Sequence, residues 1–462
     1  MGEENHDNDP QKKRQRKKRK NFLSNAKKYA KKGQMGRGTQ IPEELYQYFV
    51  GILDVIKQGI ADPDERKALV NNVLERTKGE ELNVVGNQLG CRLIELLLPY
   101  SSSEDLERYI DVLSPELRKL CSDNFSSHII ETLLRVSCER ATEHLQIEIE
   151  ETEEVPKKKR KKDNKYTEEH IEKCNEYTIK IAKYALNNLE DFVWDQYANH
   201  ILRAVLKCLS GITLLPGEKP KVNMFKETVQ DKKGIPPHQT EMKYKVTPDE
   251  YREIVKDFAN RLTVWPQFKD LPYQNITSAL LQILLYAIKN VDKNLTKSLI
   301  KKLLNESFAP EDWVEIGDND EKDDKKSDNI INDNTADDQK VSDSSLPPVF
   351  KSESAVSDPK GCHVADAICK GSFVGVKARD KLIWKLKGYY QKLALSQHGS
   401  RAFEQVFEAA TNEQKVKIMT ELSDKSNLLN STNYGRLIAT KLDVNTFKLS
   451  QNKWEQRYYK NI

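Results

Sequence analysis

From Ile41 onward, apolar side chains return at helical spacing, with Tyr46, Phe49, Val50, Leu53 and Ile56 on one face. The same spacing recurs over most of the chain, where Leu, Lys, Glu and Ala dominate and alternating β-branched runs are rare. The pattern predicts an all-α fold. Three polar stretches interrupt it. One lies near 140–165 and holds Pro156 followed by KKKRKK at 157–162; a second, 211–247, is rich in Pro and Gly; a third, 315–348, is acidic and ends in Pro347-Pro348. All three read as solvated loops or linkers. Residues 1–40 are polar and basic, with KKRQRKKRK at 12–20, and read as a disordered arm.

The helical pattern repeats. GCRLIELLL at 90–98 aligns with SSHIIETLL at 126–134, ANHILRAVL at 198–206, TSALLQILL at 277–285, GCHVADAIC at 361–369, GSRAFEQVF at 399–407 and GRLIATKLD at 435–443. Numbering the first residue of each copy zero, that position is always small: Gly90, Ser126, Ala198, Thr277, Gly361, Gly399 and Gly435. Positions three and four are apolar in every copy. Six residues upstream of zero stand Val84, Leu120, Phe192, Leu271, Leu393 and Leu429; thirteen upstream stand Thr77, Leu113, Ala185, Val264, Leu386 and Leu422. The copy at Gly361 departs from this, with Ala355 and Pro348, so its upstream helix reads as missing or replaced. Copies at Gly90 and Ser126, and at Gly399 and Gly435, lie 36 residues apart, which predicts a solenoid whose copies share one continuous core. The longer gaps hold the linkers and leave room for degenerate copies. The predicted division is a disordered basic arm at 1–40, repeats at 41–140, a charged linker at 141–165, repeats at 166–310 with an insert at 211–247, an acidic linker at 311–348, and repeats at 349–462.

Positions one and five lie one helical turn apart on one face, with position two beside them. Six copies place Cys91/Glu95, Ser127/Glu131, Asn199/Arg203, Ser278/Gln282, Cys362/Asp366 and Ser400/Glu404 at one and five. Position two is Arg92, His128, His200, Ala279, His363, Arg401 and Leu437, so three of the eight histidines fall there. Flat, cationic side chains in register suit stacking on nucleic-acid bases. Any one of them alone reads more simply as a surface residue; the register of five carries the functional reading.

A period of this length, a small residue at zero and a one–two–five triplet on a helix face resemble the Pumilio (PUF) repeat family. The last hundred residues, with GCHVADAICKGSFVGVKARDKLI, GYYQKLALSQHGSRAFEQVFEAATNEQKVKIMTELSDK and NYGRLIATKL, are most similar to a nucleolar branch of it. The resemblance implies a curved superhelical solenoid of three-helix repeats that binds single-stranded or structured RNA. In such repeats positions one and five meet the edge of a base and position two stacks on it, which implies RNA contacts for all twelve paired residues above and for Arg92, His128, His200, His363 and Arg401. Ser127/Glu131 and Ser400/Glu404 resemble guanine readers, since a carboxylate accepts from both N–H groups of that edge. Asn199/Arg203 and Ser278/Gln282 depart from the family's pattern, and Ala279 and Leu437 cannot stack as an aromatic or guanidinium does. The family carries more repeats than are legible here; VFKSESAV at 349–356 looks like the start of a further copy, broken off. The nucleolar branch implies precursor ribosomal RNA as ligand, a role in small-subunit maturation, and partners among pre-ribosomal particle proteins.

Charge and cysteine usage narrow the classes. Lys and Arg number 75 against 71 Asp and Glu, but the charges are segregated, with twelve Lys or Arg and no acid at 11–33. Lys157, Lys158, Lys159, Arg160, Lys161 and Lys162 read as a nuclear import signal, implying import receptors as partners and the nucleus and nucleolus as location. The seven cysteines are scattered without CxxC spacing, which argues for reduced thiols and against a zinc site. No secretory signal and no membrane-length apolar run stands out. No nucleotide-binding, zincin or nucleophile-elbow motif occurs. The expectation is therefore a monomeric binding protein without catalytic activity, metal or cofactor. Two other readings remain open, a cytoplasmic translational regulator that binds messenger RNA and a protein-interaction adaptor of the HEAT or armadillo kind.

Overall fold

A computed structural model describes residues 21–60, 62–153, 165–215, 244–308, 356, 358, 360–370, 376–424 and 426–460. Among them the fold is all-α; the only extended pairings are isolated bridges at Gly38/Asn87 and Ile212/Tyr244. The chain divides into two compact units, Met1–Phe258 and Ala259–Ile462.

In the first unit, α1 (Asn21–Lys31) and α2 (Glu43–Gln58) pack together ahead of three repeats. Each repeat has a long first helix, a short connecting helix and a second helix. The first repeat is α3 (Pro63–Glu75), α4 (Glu81–Val85) and α5 (Gln88–Leu97). The second is α6 (Ser103–Leu113), α7 (Leu117–Cys121) and α8 (Ser126–Glu153); the third is α9 (Glu168–Asn187), α10 (Leu189–Trp194) and α11 (Ala198–Leu209). The unit boundary falls within α12 (Asp249–Val264), the first helix of the fourth repeat.

The second unit completes that repeat with a 3-10 helix (Pro266–Tyr273) and α13 (Asn275–Val291). Next come α14 (Lys293–Glu306) and α15 (Gly361–Lys370), then α16 (Val376–Lys385), α17 (Tyr390–Leu395) and α18 (Gln397–Ala409). The last repeat is α19 (Asn412–Asp424), α20 (Ser426–Leu429) and α21 (Asn433–Lys441). α22 (Val444–Leu449) and α23 (Gln451–Lys460) follow it. Trp454 of α23 is fully buried and its indole N–H donates to the Leu442 carbonyl at 2.6 Å.

The small residue at zero has a local cause. The second helix starts against the carbonyl six residues upstream. A Cβ on Gly90 would collide with the Val84 carbonyl oxygen, and one on Gly435 with that of Leu429; on Gly399 it would come within 2.9 Å of the Leu393 oxygen. Ser126 and Thr277 solve the same approach differently, their hydroxyls donating to the Leu120 and Leu271 carbonyls at 3.0 and 2.5 Å. The side chains at that upstream position (Val84, Leu120, Phe192, Leu271, Leu393, Leu429) are all buried. Each such aliphatic side chain contributes about 1.5–3 kcal/mol.

Three residues upstream of zero stands an N-cap. Asn87, Asp123, Asp195, Asp358, Ser396 and Thr432 each accept from the N–H of their copy's residue zero, at 2.7–3.2 Å. This is the orphan-donor problem of a helix start solved identically six times. Gln274 occupies the position in the fourth repeat and caps nothing.

Ionic ties join successive repeats as well. Arg108 of α6 reaches back to the buried Glu81 carboxylate and, at 2.7 Å, to the Leu74 carbonyl of α3. Arg140 donates to the Ser101 carbonyl at 2.8 Å and contacts His170 of α9, whose ring in turn meets Glu107 at 2.6 Å.

Several expected boundaries need correction. The arm is not irregular up to residue 40. Residues 21–31 are helical with Ala26 and Ala30 buried, and the Asn87 amide donates to the carbonyls of Met35 and Thr39, pinning the segment that follows. Gly38 has φ +90°, and its Cα faces the Gly86 carbonyl so closely that no Cβ fits. The linker does not begin at 141, because α8 runs to Glu153 with Arg140, Ala141 and Thr142 buried against α9. The ends of the 211–247 insert are tied by the Lys245 N–H to the Gly211 carbonyl at 2.8 Å, with Gly211 at φ +71°. Val264 does not enter the core; it ends α12 and is 79% exposed, because a 3-10 helix replaces the expected turn. The upstream helix of the Gly361 copy is neither missing nor absent from the stack, but lies as α14 on the far side of 309–355. Besides the Ala198 copy, the described residues between Ser126 and Thr277 contain no further copy. Residues 1–20, 157–162, 311–348 and 349–355 lie outside the described residues. No helix among those described is long and apolar enough to cross a membrane.

Two glycine substitutions separate packing from propensity. Gly90→Ala is expected to lower unfolding free energy by about 1–3 kcal/mol through overpacking. Gly51→Ala, mid-helix in α2 with nothing near its Cα, should raise it by roughly 0.5–1 kcal/mol. Urea unfolding of both variants checks the pair; equal effects would remove the steric account of position zero.

Candidate nucleic-acid interface

The close crossing at zero fixes the roll of each second helix. Positions three, four and seven then point into the stack, and the remaining face is divided between neighbours and solvent. Position two is the most open. Arg92, His128, His200 and Arg401 are exposed, Leu437 is 67% exposed, and His363 and Ala279 are half-buried. Position five is partly open at Glu95, Glu131, Arg203, Gln282 and Glu404, while Asp366 is buried.

Position one differs from the expectation. Cys91, Ser127, Asn199, Ser278 and Cys362 are all buried, and only Ser400 keeps part of its surface. The partners explain why. The Cys91 thiol donates to the Phe125 carbonyl of the next repeat at 2.9 Å. The Asn199 amide, 0% exposed, donates to the Val193 carbonyl at 2.8 Å, one residue after the position that the hydroxyls of Ser126 and Thr277 reach in their copies. The Ser278 and Ser400 hydroxyls donate to Asn275 and Gln397 one turn back at 3.3 and 3.0 Å. In this conformation Asn199 and Ser278 do not present a base-reading edge. Burial pushes the Cys91 thiol up to about 12, aided by Glu95 and Asp123, and the Cys362 thiol up to about 11, so both stay protonated at neutral pH.

Successive repeats bring position two of one copy beside position five of the copy before it. The Arg401 guanidinium lies 3.3 Å from the Asp366 carboxylate. His200 feels both Glu131 and His128 of the preceding repeat and accepts or shares a hydrogen bond with Arg203 at 2.7 Å. Glu404 pairs across the last repeat with Lys441 at 2.8 Å, which raises the Lys441 pKa. Arg92 and Glu95 pair within their own helix at 3.1 Å. Within the first unit Glu95 has Arg92 beside it, and within the second Asp366 and Glu404 have Arg401 and Lys441.

Lys441 and the N-caps escaped the sequence reading. Lys441 sits at position six of its copy, outside the triplet; the caps were legible as Asn, Asp, Ser or Thr three residues before zero. Among the described residues, no group of three or more His, Cys, Asp or Glu is placed to hold a metal ion.

The comparisons agree on one family. The model of the NOP9-like PUF repeat domain matches residues 79–338 and 351–437, which contain all seven zero positions. Nucleolar protein 9 of Debaryomyces hansenii is 25% identical over 241 residues, 50% of this chain and 33% of the relative. Human Nucleolar protein 9 is 33% identical over 104 residues, 22% of this chain and 16% of the relative. The chain spans about a third of the length of the curated yeast relatives it matches. Among solved structures, the Puf4 RNA binding domain bound to an HO endonuclease RNA is similar over 92% of this chain and 90% of that one, at 13% identity and a TM-score of 0.46, too loose a superposition to place any residue.

Two measurements probe the site. Asn199→Ala is expected to cost about 1–3 kcal/mol of folding stability, because it strands a buried carbonyl, and thermal unfolding against wild type reads this directly. His200 is expected to titrate below its ordinary value of 6.5, chiefly through partial desolvation of a ring that still keeps an exposed edge, and then the Arg203 charge. With its folded pKa lowered, the unfolded chain takes the proton first. The stability this residue contributes is complete above about pH 6.5 and is lost as pH falls from there to the folded value. A His200 resonance with a midpoint above 6.5 would reverse that sign.

Proposed function

This chain belongs to the NOP9-like PUF repeat family, and we propose on that premise that it binds RNA along the row of second helices, taking bases between successive position-two side chains. The single observation that carries the reading is the contact of position two of one repeat with position five of the one before, at Arg401 and Asp366. Arg92, His128, His200, His363 and Arg401 serve as stacking groups, and Glu131 and Glu404 as guanine-edge acceptors. Asn199, Ser278, Cys91, Cys362 and the buried Ser127 act by packing. We infer that the ligand is precursor ribosomal RNA, that the site of action is the nucleolus, and that the role is small-subunit RNA processing alongside pre-ribosomal proteins. The relatives' name, Nucleolar protein 9, and the basic stretches at 12–20 and 157–162 support this. Residues 157–162 then serve import receptors. The protein works by binding and not by catalysis, a reading supported by the burial that keeps the Cys91 and Cys362 thiols protonated and by acids committed to ion pairs.

Replacing Arg92, His128, His200, His363 and Arg401 together by Ala is expected to leave the fold intact and to weaken single-stranded RNA binding by at least about 100-fold, since each stacked base contributes roughly 1–3 kcal/mol. Fluorescence anisotropy with a labelled oligonucleotide measures it, and unchanged affinity would sink the stacking role. Ultraviolet crosslinking in cells then identifies the RNA. Reads on precursor ribosomal RNA support the nucleolar reading; reads in messenger RNA tails, or recovery at the level of an untagged control, overturn it.

A further inference from the structure

The second unit carries an aromatic and basic groove away from the row of second helices. It lies between α16 and α19, the first helices of the last two repeats, and encloses about 560 Å³. Two of its large apolar side chains, Ile383 and Tyr390, are buried in the stack; Trp384 is 52% exposed. The ammonium groups of Lys387 and Lys417 stand 5.6 and 5.0 Å from the indole centroid. The groove also holds acids, but they are placed differently. Glu421 accepts from the backbone N–H groups of Gly388 and Tyr390 at 2.7 and 2.8 Å, clamping the turn after α16. Asp424 ends α19, two turns and about 10 Å from Lys417. Both ammonium groups thus stand over the indole of the half-exposed Trp384, and Asp380, one turn before it, accepts from the Gln414 amide at 2.9 Å.

We propose that this groove is a second RNA contact, in which one unstacked base of a single strand lies on the Trp384 indole while its phosphates meet Lys387 and Lys417. The inference rests on the RNA-binding reading above and adds a place to it. A stacking platform next to cations is what sequence-tolerant single-strand binding requires. The volume lies in the range of small-ligand sites, about 300–1,000 Å³, room for a nucleotide. A peptide anchor asks for something else, a wider apolar lining, and Trp384 is the one exposed large apolar side chain among the residues that line the groove. Within this unit α15, α18 and α21 carry the position-two side chains, so a strand seated on both rows leaves the second helices and passes to the first. The function of such a contact is to hold flanking RNA without regard to its sequence.

The test uses the full chain and a 5-iodouridine-substituted single-stranded RNA about 20 nucleotides long. After irradiation and digestion, the expected crosslinked peptide contains Trp384. In anisotropy, Trp384→Ala should weaken binding about 5- to 100-fold, as for loss of one stacked base, with the unfolding midpoint unchanged. Trp384→Phe should restore most of the affinity, and the double variant Lys387→Glu, Lys417→Glu should flatten its salt dependence. If all these variants bind as wild type while Arg401→Ala is weakened, the groove takes no RNA and the second-helix site stands. If wild type itself binds no RNA, both readings fall. Saturable binding of a labelled acidic peptide that Trp384→Ala abolishes, with RNA binding unchanged, would assign the groove to a protein partner instead.

Discussion

Each repeat depends on one close approach, the first turn of its second helix against the carbonyl six residues upstream. That carbonyl belongs to the short connecting helix, so the contact sets how far the second helix can descend and how it is rolled. Where the residue is larger than glycine its hydroxyl can donate to that carbonyl, as Ser126 and Thr277 do, and in the Ala198 copy Asn199 donates instead to the next carbonyl along, that of Val193. The N-cap three residues before zero holds the same turn from the other side. Between them the two interactions determine, within about one residue, which positions of the second helix enter the core and which remain outside.

The candidate interface follows from that roll. With positions three, four and seven inside, position one tips under the next repeat and position two is left in water. Cys91 shows the geometry most plainly, since its thiol meets the carbonyl of Phe125, the residue just before zero in the following copy. Position two of a copy lies against position five of the copy before it where Arg401 meets Asp366. Carboxylates such as Asp366 and Glu404 are thus already paired in the free protein, and on the proposed reading an incoming base would exchange a side-chain partner for its own N–H groups. Such exchange favours discrimination over raw affinity, because a base without two donors on that edge cannot repay the broken pair.

The register of the repeat was legible because apolar side chains at fixed spacing have few alternatives in an all-helical chain. Val84, Leu120, Leu393 and Leu429 were placed correctly by spacing alone. Val264 was not, because the chain leaves α12 one residue later through Trp265 and Pro266 into a 3-10 helix, and spacing carries no information about helix type. The burial of Asn199 was hidden for a related reason. An amide reads as a polar surface residue unless its acceptor is known, and the acceptor lies on another helix. The order in residues 21–40 was masked by their charge, although Ala26, Ala30 and Met35 are the buried side chains that the adjacent lysines surround. The 143–153 stretch of α8 misled in the same way, since glutamates that look like linker composition are also good helix formers.

The insert between α14 and α15 shows what the minimal repeat is. Residues 309–355 separate the first helix of that copy from the rest, yet Val356 is buried and Asp358 caps the start of α15 through the N–H groups of Lys360 and Gly361. Sequence order is therefore interrupted upstream of position minus five and nowhere closer to zero. A long insertion there adds little closure cost, about 0.6 kcal/mol for each doubling in length, provided both of its ends are held by the stack. An insertion between the cap and zero would separate the two interactions that fix the roll of the helix, and with it the face it presents. The tolerance of this repeat array for long interruptions, and its intolerance of a single methyl group at Gly90 or Gly435, are two consequences of the same local contact.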